Sequence, residues 1–475
     1  MQQNTPFSVD FLTNANNMDT QMRLHESFDL LVREIKGGSK RIRLYFVNGA
    51  IKDVVMLNVL AELMKLTDEK LALVQSTREF ADLFLPYVEA DICSDRRAFE
   101  KAVFSGQVGV LAEGFPEAVL LDVRVFPSRP VSEPENDKVL RGAHEGFVET
   151  LICNTALIRR RVRDANLTMS LHQIGSRSKT DVAVCWLHGR AEEKVVRALA
   201  EKLAAIDASS LTMGQESLLE LLLPGQWYNP FPKVRYTERP DSAAACILEG
   251  SVIVLVDNSP VAMIIPTGFF DFLQDTNDFF FPPFIGTFLR MIRMMVFALT
   301  VFLTPAWFLA MQYEQYIPPW LDFIKVYDNL ALPLVFQLLI IELVIDVLKS
   351  ASLNTPNALS SSFSVIGALV LGQFAVQAGF FNTEAVLYMA FVAIANFAQP
   401  SFELGYAFKI SRMLIIILTA IFHFWGFVAG TLLFFLVLST TKTISGRCYL
   451  YPLFPFNGRQ LLRRLIRMPI GKDNS

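Results

Sequence analysis

The segment RGAHEGFVETLICNTALIRRRVRD, residues 141–164, concentrates charge in the first half of a chain of 475 residues. Apolar residues at Phe147, Leu151 and Leu157 predict a helix over 143–161 with one buried face. Two glutamates lie near the predicted start and four arginines near the end, a polarity that suits the helix dipole. These charged residues are Glu145, Glu149, Arg159, Arg160, Arg161 and Arg163.

Such a cluster has four interpretations, namely a solvated helix end, a nucleic-acid site, a contact with lipid headgroups, or a seam between parts of a protein. Residues 1–285 carry 30 Lys and Arg against 38 Asp and Glu, so an isolated basic patch on an acidic region disfavours nucleic acid. Arginine forks bind carboxylates in bidentate fashion. We therefore favour a seam that joins this region to a neighbouring subdomain or protomer.

Charge is distributed unevenly along the chain. The whole sequence has 43 Lys and Arg and 46 Asp and Glu, of which only 13 and 8 follow residue 285. A charge-rich first part therefore precedes a hydrophobic second part. The opening MQQNTPFSVD has neither a basic n-region nor an apolar core, so we expect the first part to be cytoplasmic.

The first part reads as two α/β subdomains of related pattern. Strand pairs are predicted at 28–35 with 41–49, 106–114 with 118–126, and 251–257 with 260–266. Gly49 and Gly189, 140 residues apart, each end a strand and open a helix. The predicted fold is an α/β cytoplasmic region of two small subdomains followed by an all-α multi-span membrane domain. Its boundaries are a polar leader 1–26, subdomains 27–138 and 139–280, the membrane domain 286–440, and a basic cytoplasmic tail 441–475.

Motifs for catalysis or metal binding are lacking in the sequence. The glycine-containing stretches do not have the spacing of a phosphate-binding loop, and no GxSxG occurs. The histidines show no metal-ligand spacing, and the five cysteines form no CxxC. We expect a protein that is not an enzyme and has no cofactor or metal.

Five long apolar runs follow residue 286, at 294–311, 331–351, 364–381, 385–400 and 410–438. Glu342 and Asp346 lie one turn apart in the second run and should face protein, water or the interface, because lipid disfavours charge. The tail is basic, so both ends should be cytoplasmic, which requires an even number of crossings. Either one run is re-entrant or interfacial, with 331–351 as the candidate, or the last run turns back on itself.

The run at 364–381 carries a polar stripe. Ala368 and Gly372 form a small-xxx-small pair that permits close helix packing, and Gln373 and Gln377 lie one turn apart. Two interpretations stay open. The segment is either a packing helix within one protomer or the wall of a pore formed by several copies.

Four stretches together resemble the GerA family of spore germination proteins. They are GFVETLICNTALIRRRVRD, VIGALVLGQFAVQAG, ANFAQPSFELGYAFKISRMLIIIL and YLYPLFPFN, and the resemblance extends from about Ser27 to Arg467. Within this family, DVLKSASLNTPNALSSSFSVIGAL and PFNGRQLLRRLIRMP look most like the stage V sporulation protein AF branch. They differ from the typical receptor A subunits.

The resemblance implies a protein of the inner spore membrane that forms a ring-shaped homo-oligomer, with a pentamer as the candidate size. It implies conduction of monovalent cations such as potassium, a small membrane partner subunit, and association with germinant receptors. The family's pore helix corresponds to residues 363–380. Helical spacing selects as axis-facing Val365, Leu369, Gly372, Gln373 and Val376.

Two alternatives to a channel subunit stay open. One is a nutrient-sensing A subunit with a ligand pocket, and the other is a scaffold that clusters receptors without conducting ions. Ligand binding by the purified protein would favour the first, and an assembled complex without ion flux would favour the second.

Overall fold

The computed structural model describes residues 6–8, 10–85, 89–125, 142–224, 228–275, 277–326, 330–354, 367, 373–399 and 401–467. The chain divides into two compact units. The N-terminal unit comprises Met1–Gly225 and Val234–Thr267, and the helical unit comprises Gln226–Lys233 and Gly268–Ser475. The predicted second subdomain therefore ends near Thr267. Residues that follow it, among them Phe270 and Phe272, pack in the core of the helical unit.

The N-terminal unit contains two successive α/β repeats. The first repeat consists of α1 Phe11–Gln21, β1 Leu30–Gly37, β2 Lys40–Val47, α2 Asp53–Met64, α3 Asp68–Ala72, α4 Thr77–Phe84, β3 Glu89–Cys93, α5 Arg96–Phe104, β4 Val108–Ala112 and β5 Ala118–Asp122. The second consists of α6 Leu151–Arg161, β6 Leu167–Ile174, β7 Thr180–Leu187, α7 Glu193–Ala204, α8 Gln215–Leu222, β8 Arg235–Thr237, α9 Pro240–Leu248, β9 Val252–Val256 and β10 Ala262–Ile265.

Both repeats have the same sheet topology. The strand orders are β1-β2-β4-β5-β3 and β6-β7-β9-β10-β8, and every described pairing is antiparallel. The predicted hairpins are confirmed, with β1 against β2, β4 against β5, and β9 against β10. The alternation of apolar residues therefore predicts the hairpins of the two related sheets.

The first sheet is covered by helices on both faces. Along β2, Ile42 and Leu44 pack in a core with α2 and α4, whereas Tyr45 and Val47 pack in a second core with α1 and α5. Even-numbered and odd-numbered residues of a strand point to opposite faces of the sheet. Strand β2 therefore contributes side chains to both cores. The predicted leader 1–26 contains α1, which extends the first repeat towards the N-terminus.

The repeats also match in detail at a spacing of 140 residues. Gly49 and Gly189 have φ values of +76° and +77°, a conformation that glycine adopts readily. Asn14 and Asn154 each bond both backbone groups of the residue six positions earlier. Asn14 does so with Ser8 at 2.7 and 2.6 Å, and Asn154 with Val148 at 2.8 and 2.5 Å.

The helix predicted over 143–161 begins only at Leu151, so that prediction was wrong at its start. Residues before it are held by distant parts of the chain. The amide of Phe147 donates to the carbonyl of Glu238 at 2.8 Å, and the amide of Leu151 donates to Asp257 Oδ1 at 3.1 Å. These contacts keep the stretch extended and cap the helix with a carboxylate that is remote in sequence.

The helical unit contains α10 Asn277–Phe280, α11 Pro283–Gln312, α12 Leu334–Asn354, α13 Thr383–Phe397, α14 Phe402–Thr440 and α15 Gly458–Leu465. It also has a helical turn Ala375–Gln377 and the 3₁₀ helices Phe269–Leu273, Glu314–Tyr316 and Pro319–Ile324. Within the described part of the chain, α11 and α14 are the helices long and apolar enough to cross a bilayer, and α13 is a shorter apolar helix.

The last helix, α14, is interrupted and turns back on itself. His423 has φ 51° and ψ −130°, which is not helical. The two arms meet side by side, since the Phe408 and Phe434 ring centres are 6.3 Å apart. A Cβ on Gly430 would lie 3.1 Å from Ile415 Cα, so glycine permits the close approach. The last run thus turns back on itself, which is one of the two explanations left open for the odd number of runs.

Candidate functional site

Four charged side chains meet inside the helical unit. Glu342 and Asp346 lie one turn apart on α12, and Lys409 and Arg412 face them from α14. Arg412 Nη2 donates to Glu342 Oε1 at 2.5 Å, Lys409 Nζ lies 3.4 Å from the same oxygen, and Lys409 also pairs with Asp346. Glu342, Lys409 and Arg412 are each at most 5% exposed. We call these four residues the charge cluster.

Backbone carbonyls complete the charge cluster. Arg412 Nη1 donates to the carbonyl oxygen of Thr300 on α11 at 2.6 Å, and Lys409 Nζ donates to the carbonyl oxygen of Glu342 at 3.2 Å. Removing charges from water is expensive unless each is paired and hydrogen-bonded. Two cations and two carboxylates, of which Asp346 is partly exposed, balance in formal charge, so the cluster that joins α11, α12 and α14 is neutral as a set.

The sequence identified only half of this cluster. Glu342 and Asp346 were expected to face protein, water or the interface, and Glu342 faces protein. An interfacial position for 331–351 is therefore not needed to explain its charge. Lys409 and Arg412 lie at the start of the last apolar run. Their spacing of three residues, matching carboxylates four residues apart on another run, is the signal that could have linked them.

The predicted pore positions fall mostly outside the described residues, namely Val365, Leu369 and Gly372. Gln373 is exposed, and Val376, in the helical turn Ala375–Gln377, is half-buried. Their role at a channel axis stays a prediction.

Arg159 lies in the contact between the two repeats of the N-terminal unit. Its Nε is 2.7 Å from Asp29 Oδ2 and its Nη2 is 3.0 Å from Asp29 Oδ1, and both side chains are almost fully buried. Nη2 also contacts Ser27 Oγ at 3.3 Å, and the guanidinium carbon lies 5.1 Å from the centre of the Phe104 ring. A bidentate pair thus connects α6 to the start of the first sheet.

The other charged residues of the opening segment bind within their own repeat. Arg161 Nη2 and Arg160 Nη1 lie 2.6 and 3.3 Å from the two carboxylate oxygens of Glu145, and Arg163 Nε donates to the carbonyl oxygen of Arg160. Glu149 is exposed, and its carbonyl oxygen accepts from the amide of Asn258. A protomer contact by these residues stays a prediction.

Metal binding has no visible site among the residues that the structure describes. No three His, Cys, Asp or Glu side chains gather there as ligands. Cys185 on β7 is fully buried, and burial raises the pKa of its thiol, so it stays protonated and unreactive at neutral pH.

Comparison with known proteins places the chain among germination proteins. The family described as Bacillus/Clostridium GerA spore germination protein matches residues 18–475. Stage V sporulation protein AF of Bacillus subtilis (strain 168) is 36% identical over 458 residues, covering 96% of this chain and 92% of that protein. Spore germination protein KA of the same organism is 29% identical over 467 residues, covering 96% and 85%.

Part of the chain is similar to a solved structure, the N-terminal domain of the A subunit of the Bacillus megaterium spore germinant receptor GerK3. The sequence identity is 22% and the TM-score is 0.43, with 55% of this chain and 97% of that one covered.

Replacing Glu342 by Gln should destabilise the helical unit, because Arg412 would stay buried without a carboxylate. We expect a loss of about 3 kcal/mol in the free energy of unfolding. Thermal unfolding of the full chain in detergent measures the effect. Glu314→Gln, the same change at an exposed glutamate, is the control and should alter stability little. Equal melting temperatures for the two variants would show that the ion pair is dispensable.

Replacing Arg159 by Met should weaken the contact between the repeats, because Asp29 would then be buried without its partner. A loss of about 3 kcal/mol is expected, against less than about 1 kcal/mol for Arg160→Met, whose Glu145 pair is partly exposed. Urea unfolding of the full chain, followed by tryptophan fluorescence, compares them. Similar losses in both variants would contradict a special role for Arg159.

Proposed function

Because the chain belongs to the GerA family of spore germination proteins, we propose that it is a subunit of an oligomeric monovalent-cation channel. The channel lies in the inner spore membrane and promotes or amplifies ion release, such as that of potassium, during germination. The protein is a homo-oligomeric ring, with a pentamer as the candidate size, and is not an enzyme. It works with a small membrane partner subunit and with germinant receptors.

One observation carries this proposal. Gln373 and Gln377 lie one turn apart, and both are exposed on a helical unit that also exposes many large apolar side chains. An amide in contact with lipid lacks hydrogen-bond partners and is costly. These side chains therefore need water or another chain beside them. A water-filled lumen formed by several copies provides both, which supports a pore along the 363–380 segment.

Contacts at the end of the chain support a membrane topology with both termini on one side. Arg464 Nη1 lies 2.6 Å from Asp271 Oδ1, and the carbonyl oxygen of Arg464 accepts from Arg290 Nη1 at 3.3 Å. The chain thus enters and leaves the helical unit at the same face. With the arms of α14 counted separately, five apolar runs become six. This even number fits a cytoplasmic N-terminal region and a cytoplasmic tail.

A cavity in the helical unit bears on the alternative of a nutrient-sensing A subunit. It has a volume of about 660 Å³ and is lined by residues that include Tyr313, Tyr316, Phe424 and Trp425. No Asp, Glu, Lys or Arg is among its lining residues. A free amino acid carries two charges that such a surface leaves unpaired. The apolar lining of this cavity therefore does not suit a free amino acid.

The purified full chain in potassium-loaded liposomes should release potassium, and Gly372→Phe should abolish the release by filling the predicted pore with a bulky ring. Ala378→Phe is the matched control. This exposed residue is six positions after Gly372, and on a continuous helix its side chain would point roughly 240° away from that of residue 372. It should leave efflux unchanged. A potassium electrode records the rate, and native mass spectrometry checks that each variant assembles.

Assembled protein without efflux would contradict the channel and favour the scaffold. Equal loss of efflux in both variants would contradict the predicted pore face.

A further inference from the structure

The segment that follows α14, residues 441–467, connects the ends of the two bilayer-length helices. It begins directly after α14, and the amide of Tyr449 donates to the carbonyl oxygen of Thr441 at 3.0 Å. At its far end, the amide of Arg467 donates to Thr287 Oγ1 in the second turn of α11 at 3.2 Å. Both helices have the length and the apolar composition needed to cross a bilayer, so this segment lies where the bilayer ends. We call residues 441–467 the exit segment.

Helix α15, within the exit segment, is apolar on two faces. Leu461 and Leu465 pack against the core of the helical unit. Leu462 and Ile466 are also apolar and lie one turn apart, but both are exposed. One apolar face is enough to hold a helix on the protein. The packing of α15 therefore leaves the second face without a role in the fold.

Phenylalanine rings continue this exposed face before the start of α15. The ring of Phe456 comes within 3.3 Å of the position that a Cβ on Gly458 would take, and Gly458 is one helical turn before Leu462. Phe456 is 74% exposed, and Phe454, two residues earlier, is 66% exposed. Such rings gain free energy when they leave water for hydrocarbon. The exposed face of the exit segment is thus suited to contact the acyl region at a membrane surface.

The exit segment is strongly basic. It contains six Lys and Arg and no Asp or Glu. The basic residues are Lys442, Arg447, Arg459, Arg463, Arg464 and Arg467. Three aspartates in residues 268–293 lie at the same end of the helical unit, where they pair with Arg290, Arg293 or Arg464. Residues 268–293 and the exit segment together hold eight basic and three acidic residues, a balance of +5.

Three of these cations are exposed, namely Lys442, Arg447 and Arg459. The guanidinium carbon of Arg447 lies 5.7 Å from the centre of the Tyr451 ring, and the Tyr451 hydroxyl donates to Gln460 Oε1 at 2.5 Å. Gln460 follows Arg459 in the chain, so Tyr451 connects Arg447 to the start of α15. Exposed cations beside an apolar face are typical of segments that lie on anionic membranes.

We infer that the exit segment is a binding surface for the anionic phospholipid headgroups of the leaflet that it contacts. The exposed phenylalanine rings enter the boundary between headgroups and acyl chains, and the exposed cations pair with phosphate groups. Arginine suits this role because its guanidinium donates two parallel hydrogen bonds to a phosphate. The inference rests on the membrane location in the proposed function and does not depend on ion conduction.

The opposite end of α11 provides an internal comparison. Residues 313–326 follow the last residue of this helix, about 45 Å from its start at roughly 1.5 Å per residue. They expose Tyr316, Trp320 and Phe323 by 73–75%, but they carry two acidic residues and one basic residue. Exposed aromatic residues are expected at both membrane surfaces. The positive balance at the exit segment is therefore a separate feature, which indicates contact with anionic groups.

An acidic protein would also provide anionic groups, but the location favours lipid. The exit segment is attached at both ends to helices of bilayer length, so headgroups surround it without any further partner. Anionic headgroups attract basic segments at this position through the surface potential of the membrane. A lipid surface accounts for the phenylalanine rings and for the cations together.

Native mass spectrometry of the purified full chain tests this surface. The protein in detergent is titrated with equal amounts of phosphatidylglycerol and phosphatidylcholine, and the retained lipids are counted. We expect the chain to retain phosphatidylglycerol in preference. The combined changes Lys442→Gln, Arg447→Gln and Arg459→Gln should weaken phosphatidylglycerol binding on the order of 100-fold, at roughly fivefold for each cation lost near the headgroups.

A matched triple variant controls for the loss of charge. Lys65→Gln, Arg78→Gln and Arg197→Gln remove the same residue types from exposed ion pairs of the N-terminal unit. This variant should retain phosphatidylglycerol as the unaltered chain does. Equal losses in the two triple variants, or an unaltered chain that does not prefer phosphatidylglycerol over phosphatidylcholine, would overturn the inference.

Photocrosslinking gives a second readout that leaves all the cations in place. A benzophenone amino acid replaces Phe456 in one full-length protein and Phe323, at the other end of α11, in another. Both are irradiated in liposomes of equal phosphatidylglycerol and phosphatidylcholine. The ratio of phosphatidylglycerol to phosphatidylcholine adducts should be roughly fivefold higher at position 456. Equal ratios, or crosslinks from position 456 to protein in place of lipid, would contradict the assignment.

Potassium efflux, recorded separately, distinguishes this inference from the proposed channel. A preference for phosphatidylglycerol without efflux contradicts only the channel. Efflux without that preference contradicts only the headgroup-binding surface.

Discussion

The helical unit depends on the pairing of Arg412. A guanidinium that is 2% exposed requires acceptors, and it finds them on two other helices, Glu342 on α12 and the carbonyl of Thr300 on α11. Electrostatic attraction is strong where water is excluded, and a missing partner is correspondingly expensive. The relative positions of α11, α12 and α14 therefore depend on the Arg412 side chain. Lys409 and Asp346 add one positive and one negative charge beside it.

In the N-terminal unit, Arg159 is likewise a buried arginine whose acceptors hold separate segments together. This side chain is buried between two repeats, and its acceptors are Asp29, Ser27 and the carbonyl of Leu167. In both units a buried arginine joins segments that are distant in sequence, by about 130 residues for Asp29 and 70 for Glu342. Arginine suits this role because its planar group donates in several fixed directions and stays charged when buried.

Sequence patterns were sufficient to predict the elements whose structure depends on residues close together in the chain. The paired strands follow from alternation and short turns, the repeat from glycines 140 residues apart, and the family and its branch from long stretches in order. The start of α6 was missed because Glu238 and Asp257 fix it from far along the chain. The partners of Glu342 were missed for the same reason, since basic residues beside an apolar run suggest a membrane flank as readily as a buried pair.

The break at His423 follows from where the chain enters and leaves the helical unit. Residues 268–273 and α15 are joined through Arg464 and Asp271, so the path between them must return to the face from which it started. A non-glycine residue with φ 51° is strained and persists only where the surroundings determine it. Here the surroundings are the packed arms of α14, where Gly426 and Gly430 allow close approach. Tight packing of the two arms of α14 therefore offsets the energetic cost of the strained backbone at His423.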